Sequence, residues 1–336
     1  MRSKIIIAAL AAALTGSAAY AEETTLTISS YGGQYQADQA KAYFQPFMAR
    51  NPDIKIIEDS STSNAKLKAM VETGNVTLDL MLTDDSFGLD SDAQWLEPID
   101  YTIVDRSKFI EGAAGNYRVA SDIEGTVLAY NEQEFGDNPP KGFADFFDTE
   151  KFPGARTLWK YAASGIFEAA LIADGVKPEE LYPIDVERAL KKLDTIKSDI
   201  IWWETGSQAE QNLASGEAAM GLVWIGRAAN IADKGIKVDW TNWTSQAGYW
   251  VVPKGTKNKE AAMKAIQFFT EPEQQVEFAK LMPYGPSNKN AKIPEDSKFK
   301  GLLPTDHLDT RILMDSEWWA KNGAAVDLRF QEWLLQ

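Results

Sequence analysis

Three residues past Trp224 stands Arg227, just beyond an apolar run, Ala219 to Trp224, that reads as a strand. A guanidinium in such a loop offers a planar fork that grips a carboxylate or phosphonate through two hydrogen bonds. The same fork serves an ion pair between structural elements, so ligand and scaffold roles both stay open. Asp84 and Asp85, with Ser86 beside them, directly follow another apolar run, Leu78 to Leu82. Two carboxylates there can pair with an amine or a quaternary nitrogen, while a helix cap in a solvated loop is the structural alternative. Trp224, Tyr31 and Tyr284 can form an aromatic box around a cationic headgroup, against plain core packing for any one of them. Gly206-Ser207 opens a helical stretch and turns backbone N–H groups outward, a weak anion signal that many helices share.

Catalytic chemistry finds little support. His307 is the single histidine, sits in a Pro304-Thr305-Asp306 loop away from the aromatic motifs, and is expected to be exposed. Without cysteine, a histidine cluster or a G-x-S-x-G elbow, neither zinc catalysis nor a Ser-His triad is available. No glycine-rich phosphate loop of either common type occurs. No cofactor or metal is therefore expected, and the chain reads as a non-enzyme. A carboxylate-pair hydrolase remains a distant alternative, because 49 acidic residues always allow some pair. A pure adaptor is the third class, and it leaves eleven Trp and eleven Tyr unexplained.

The elements that must position these groups alternate between strand and helix. Leu26 to Ser29 reads as a strand running into Tyr31-Gly32-Gly33, followed by a helix from about Gln36 to Arg50. Ile54 to Glu58 is the next strand, Asn64 to Glu72 a helix, and Leu78 to Leu82 a buried strand. Such spacing implies right-handed βαβ units and a mainly parallel sheet, with ligands beyond the carboxyl ends of the strands. Ser30 to Tyr35 and Thr83 to Ser86 are therefore rim loops. A second α/β stretch follows: a helix over Ala162 to Ala173, another over Val186 to Ile196, and a strand at Ile201-Trp202-Trp203. A helix over Gln208 to Ser215 precedes the strand that ends at Trp224. Thr126 to Tyr130 is a strand leaving the first half, and Tyr249 to Pro253 one returning to it. Lys259 to Phe269 and Glu273 to Leu281 are helices. Two crossings make a hinge with a cleft, giving one lobe from 22–125 plus about 250–300 and another from 126–249 plus about 301–336.

The N-terminus sets the compartment. Arg2 and Lys4 precede an apolar run from Ile5 to Leu14, and Ala19-Tyr20-Ala21 stands before Glu22. That order predicts a secretory signal cleaved after Ala21 and a periplasmic protein. Ten apolar residues rise about 15 Å as a helix, too little to cross a bilayer. Removing 21 of 336 residues leaves 315, and takes the charge to 32 basic against 49 acidic groups, −17. A chain of that length suggests two lobes. One that acidic repels nucleic acid and anionic membranes, so neither is expected as a partner.

With these features in place, the chain resembles the periplasmic binding proteins of the polyamine/opine ABC importer family, relatives of the spermidine- and putrescine-binding proteins. The resemblance covers nearly the whole mature chain. Phe152-Pro153-Gly154, Ile201-Trp202-Trp203 with Gly206-Ser207-Gln208, and Gly216-Glu217 through Trp224-Ile225-Gly226-Arg227 carry it. Val252-Pro253-Lys254-Gly255, Tyr284-Gly285-Pro286 and Trp318-Trp319 through Trp333-Leu334 complete it. It implies a two-lobed type II periplasmic binding fold that closes on its ligand, a monomer, and a separate permease and ATPase as partners. It also implies ligand contacts at Tyr31, Tyr35, Trp224 and Tyr284, with Asp84 where relatives carry a small polar residue. Two departures matter: Gly165 and Gln246-Ala247-Gly248 stand where polyamine binders place the acids that hold amines. The expected ligand is therefore an ω-amino acid, aminophosphonate or opine, with its acid near Arg227 and its amine near Asp84. Polyamine binding is the alternative.

Overall fold

The computed structural model describes residues 23–336, so the signal segment and its cleavage after Ala21 lie outside the described residues. Its strands are β1 (Thr24–Ser29), β2 (Ile54–Asp59), β3 (Leu80–Thr83), β4 (Val119–Asn131) and β5 (Arg156–Trp159). They continue with β6 (Ile200–Trp203), β7 (Met220–Trp224), β8 (Ile236–Val251), β9 (Gly285–Pro286) and β10 (Arg311–Leu313). All join one sheet ordered β2-β1-β3-β8-β4-β7-β5-β6, with β10 beside β8 and β9 beside β4. The two ends are parallel, β1 between β2 and β3, and β5 between β6 and β7. Between them β8 and β4 run antiparallel to each other and to their outer neighbours β3 and β7.

Both parallel ends are α/β, one apolar cluster running from Leu26 and Leu80 through the central strands to Trp203 and Val223, and a second filling the rest of the β5–β7 end. In β1 the alternation places Leu26 and Ile28 inside while Thr25 and Thr27 stay half-buried. The helical stretch predicted over 36–50 forms as Gly33–Gln39, a π-helical turn Ala40–Phe44, and Gln45–Arg50. Its buried Tyr43, Phe44 and Phe47 pack on Phe269, with ring centroids at 5.5, 5.4 and 5.8 Å. Burying each such ring stabilises by about 1.5–3 kcal/mol. The second half buries Phe143, Phe146, Phe152, Phe167 and, from the C-terminal helix Ser316–Leu334, Phe330 and Trp333.

The link between halves differs from the sequence expectation. Thr126–Tyr130 and Tyr249–Val251 are only parts of two long strands, paired from Val119 opposite Trp250 to Asn131 opposite Ile236, and the expected Tyr249–Pro253 strand ends at Val251. Asp122, Glu124 and Gln246 interrupt the apolar pattern, yet the ladder continues through them. At Gly125 a Cβ would lie 2.6 Å from the Trp243 ring, so only glycine lets that indole lie against β4.

Two further expectations are corrected. The helix over Ala162–Ala173 breaks at Gly165 into a 3-10 turn, Ala162–Ser164, and an α-helix, Ile166–Ala173. Gly165 takes φ +89, and a Cβ there would meet Thr244 Oγ1 at 2.2 Å. His307 is half-buried rather than exposed, stacked on Trp240 at 4.3 Å with Nε2 2.8 Å from the Gly301 carbonyl.

Candidate functional site

The carboxyl ends of β1, β3, β5 and β7 converge on one cavity of about 490 Å3, whose floor is the β4–β8 ladder. Tyr31 comes from the loop after β1, Asp84, Asp85 and Ser86 from the loop after β3, Trp159 and Tyr161 from β5 and its exit, and Trp224 from the end of β7. Glu124 on β4 and Gln246 on β8 are direct partners across the ladder and line the floor together. The C-terminal helix closes the remaining side with Ser316, Trp319, Ala320, Gly323 and Ala324. The size suits a small organic solute.

The aromatic walls are built in two stacks. Trp159 lies 5.4 Å from Trp203 in parallel and 4.8 Å from Trp224 edge-on, with Tyr161 4.9 Å away. Opposite, Tyr31, 42 % exposed at the mouth, sits 5.4 Å from Tyr35, which is 5.9 Å from Tyr284. Trp319 is held from behind: its Nε1 donates to Glu168 Oε1 at 2.8 Å, and Tyr182 donates its hydroxyl to the same oxygen at 2.5 Å. Glu168 is fully buried, and burial raises its pKa.

The charge inside is acidic. No lysine, arginine or histidine is among the described residues that line the cavity. Glu124 receives no hydrogen bond among the described residues, and burial together with the charges of Asp122, Asp85 and Asp84 pushes its pKa well above the carboxylate range. Asp85 accepts the Ala247 N–H at 3.1 Å, and burial, partly offset by Arg118, lifts its pKa to about 6. Behind the floor, Asp122 accepts the Tyr35 hydroxyl at 2.6 Å while its other oxygen is buried without a partner among the described residues, and burial lifts its pKa to about 7. Unpaired carboxyls at such a density destabilise the empty fold and favour any cation that enters.

Of the residues singled out from sequence, Tyr31, Asp84, Asp85, Trp224 and Gln246 meet in this cavity. Tyr35 stands one ring behind Tyr31, and Tyr284 behind Tyr35. Asp84 is exposed, and its Oδ1 accepts from the Ser86 N–H and hydroxyl at 2.9 and 2.5 Å. Arg227 lies off the lining, with Nη1 on Glu210 Oε1 at 3.1 Å, though its charge still reaches Glu124 and Tyr284. Gly206-Ser207 opens the helix Gly206–Ala214, but Thr205 and Gln208 cap that end reciprocally. Sequence reasoning missed Glu124, Trp159, Tyr161 and Trp319. The signal for Glu124 was present, two acids spaced i, i+2 within a strand otherwise built of buried residues.

Comparison with known proteins gives the family. Residues 42–305 match the family model for bacterial extracellular solute-binding proteins. A γ-aminobutyric acid-binding protein of Pseudomonas aeruginosa is 35 % identical over 329 residues, 94 % of this chain and 92 % of that one. The solved Atu4243 γ-aminobutyric acid receptor superposes with a TM-score of 0.85 at 38 % identity, covering 93 % of this chain and 98 % of its own. The binding protein AgtB of Agrobacterium tumefaciens R10, solved with agropinic acid, gives 0.74 at 35 % identity over 93 % and 99 %. These likenesses bear out the two-lobed α/β fold expected from the sequence, and this chain belongs to the bacterial extracellular solute-binding proteins as the substrate-binding component of an ABC importer.

Proposed function

We propose that this protein captures a small zwitterionic amine of the ω-amino-acid class in the periplasm, after cleavage of its signal following Ala21, and passes it unchanged to a permease–ATPase pair. The observation that carries the reading is Glu124, a carboxyl group without a partner among the described residues, on the floor of an aromatic cavity. An ammonium group placed there gains a desolvated ion pair and a cation–π wall from Trp159, Trp224 and Trp319. Asp84 and Asp85 add to the field at that end. Relatives whose names record γ-aminobutyric acid support the ω-amino-acid class. The acidic lining, with no cationic side chain, also favours a second reading, a short diamine held at both ends.

A calorimetric comparison of γ-aminobutyrate, aminoethylphosphonate, putrescine and n-butylamine tests both. The zwitterions are expected to bind at least tenfold more tightly than butylamine, as monomers with one site each. Tighter binding of putrescine than of either zwitterion would favour the diamine reading. Saturation by a neutral sugar with no amine binding would reject both. A ligand at 100 times its Kd adds about 2.7 kcal/mol, so a thermal-shift screen suffices to find it.

A further inference from the structure

A second cavity of about 530 Å3 adjoins the first, sharing Asp85, Met314 and Ser316 with it. Its lining is different in kind. Arg118 belongs to it, only 8 % exposed, and no carboxylate bonds its guanidinium among the described residues. Nη1 donates to the Asp85 and Phe87 carbonyls at 2.8 and 3.1 Å, and the group lies 3.9 Å over the Tyr249 ring. Those contacts fix the plane of the guanidinium and leave its other N–H groups without an acceptor among the described residues. A largely buried guanidinium with free donors in a cavity is a strong carboxylate receptor, because the fork is already oriented.

No acid of this chamber bonds that guanidinium among the described residues, and only Asp85 feels its charge. Asp90 is exposed and receives the Asn116 amide at 2.9 and 3.1 Å, and exposed Asp315 accepts the Trp318 N–H at 2.9 Å as the cap of the last helix. Glu317 is exposed at the rim. Asp85, the shared wall, has one oxygen taken by the Ala247 N–H. The cleft is therefore polarised, with unpaired carboxyls at one end and an unpaired buried guanidinium at the other.

The geometry points to Arg118, not Arg227, as the group that receives the carboxylate of the bound solute. The inference rests on the amine reading of the first chamber and adds the partner for the other end. Arg227 already spends a donor on Glu210, whereas the Arg118 guanidinium is bonded by no carboxylate among the described residues and only feels Asp85 through space. The site thereby selects amines that carry a carboxylate several bonds away, over simple amines and diamines.

The test is a cycle between ligand and protein. Calorimetry on the mature protein is run with γ-aminobutyrate and ε-aminohexanoate, each beside its carboxamide. For whichever acid binds more tightly, the wild type is expected to prefer acid to amide by at least tenfold. Arg118→Gln should reduce that preference to within threefold of unity while the amide keeps its affinity, which also reports that the 85–87 loop is intact. Arg118→Lys, which keeps the charge, should retain part of the preference, and Arg227→Gln all of it. Equal binding of acid and amide by the wild type overturns the inference without any variant. So does a preference that survives Arg118→Gln or vanishes with Arg227→Gln. Failure of every amine to bind would instead strike the amine reading itself.

Discussion

Replacing Glu124 by Gln should weaken the ligand and strengthen the empty protein, and the two effects together separate a binding acid from a structural one. Glutamine keeps the size and the hydrogen-bonding atoms but removes the charge. Deleting one partner of a desolvated charge pair costs about 2–5 kcal/mol. Asp84 and Asp85 share the cavity and remain, which puts the expected loss near the lower end, about 2 kcal/mol or roughly thirtyfold in Kd. The unliganded protein responds in the opposite sense. A carboxyl group whose pKa is raised by folding keeps its proton in the folded state after the unfolded chain has lost it, so stability falls as pH rises through that window. Glu124 is raised by burial and by like charges, and glutamine does not titrate. The variant should therefore match the wild type near pH 4 and exceed it at pH 8, each kcal/mol showing as about 2–4 °C in Tm. Asp85 and Asp122, raised to about 6 and about 7, remain in both proteins and give both a residual decline up to neutral pH. Calorimetry at pH 7.5 with γ-aminobutyrate and scanning calorimetry at pH 4 and pH 8 are the assays. A Kd within threefold of the wild type, or no gain in Tm at pH 8, would refute the reasoning.

Glu168→Leu strips the acceptor from the Tyr182 hydroxyl and leaves Trp319 Nε1 only its 3.1 Å bond to that hydroxyl; a loss of about 1–3 kcal/mol in urea-melt stability is expected, with Glu168→Gln costing less than half of that. Gly165→Glu, which restores the residue type polyamine binders carry there, should not create putrescine binding. Its φ of +89 and the Thr244 hydroxyl 2.2 Å from the new Cβ should lower stability by about 1–3 kcal/mol or more, read by thermal melt. Mass spectrometry of the exported protein should find Glu22 at its N-terminus, and an intact Met1 in the periplasm would contradict the signal reading.

What could be read in the sequence follows from where each residue sits. The parallel ends were legible because β1 alternates cleanly and β3 and β7 are short apolar runs, so Tyr31, Asp84, Asp85 and Trp224 declared themselves as rim positions. Gln246 entered only through the resemblance, and the structure gives it a physical place opposite Glu124. The long strands were illegible for the reason that makes them useful. β4 carries Asp122 and Glu124 and β8 carries Gln246 where a buried strand pattern calls for apolar side chains, so the pattern reads as ending where the ladder continues. Trp319 was hidden differently: nothing local says that a helix 150 residues downstream of Glu168 returns to hang its indole on that carboxylate. Arg227 stayed ambiguous because its partner Glu210 lies on a neighbouring helix that no spacing rule ties to it. The absence of acids at Gly165 and Gly248 argued against a polyamine and left Asp84 as the acid expected at the ligand's amine. Glu124 supplies another from the floor, close enough to Asp122, Asp85 and Asp84 to feel all three charges. The amine reading therefore survives the loss of both inherited positions, and the place where the strand pattern fails is the place where the ligand's charge is met.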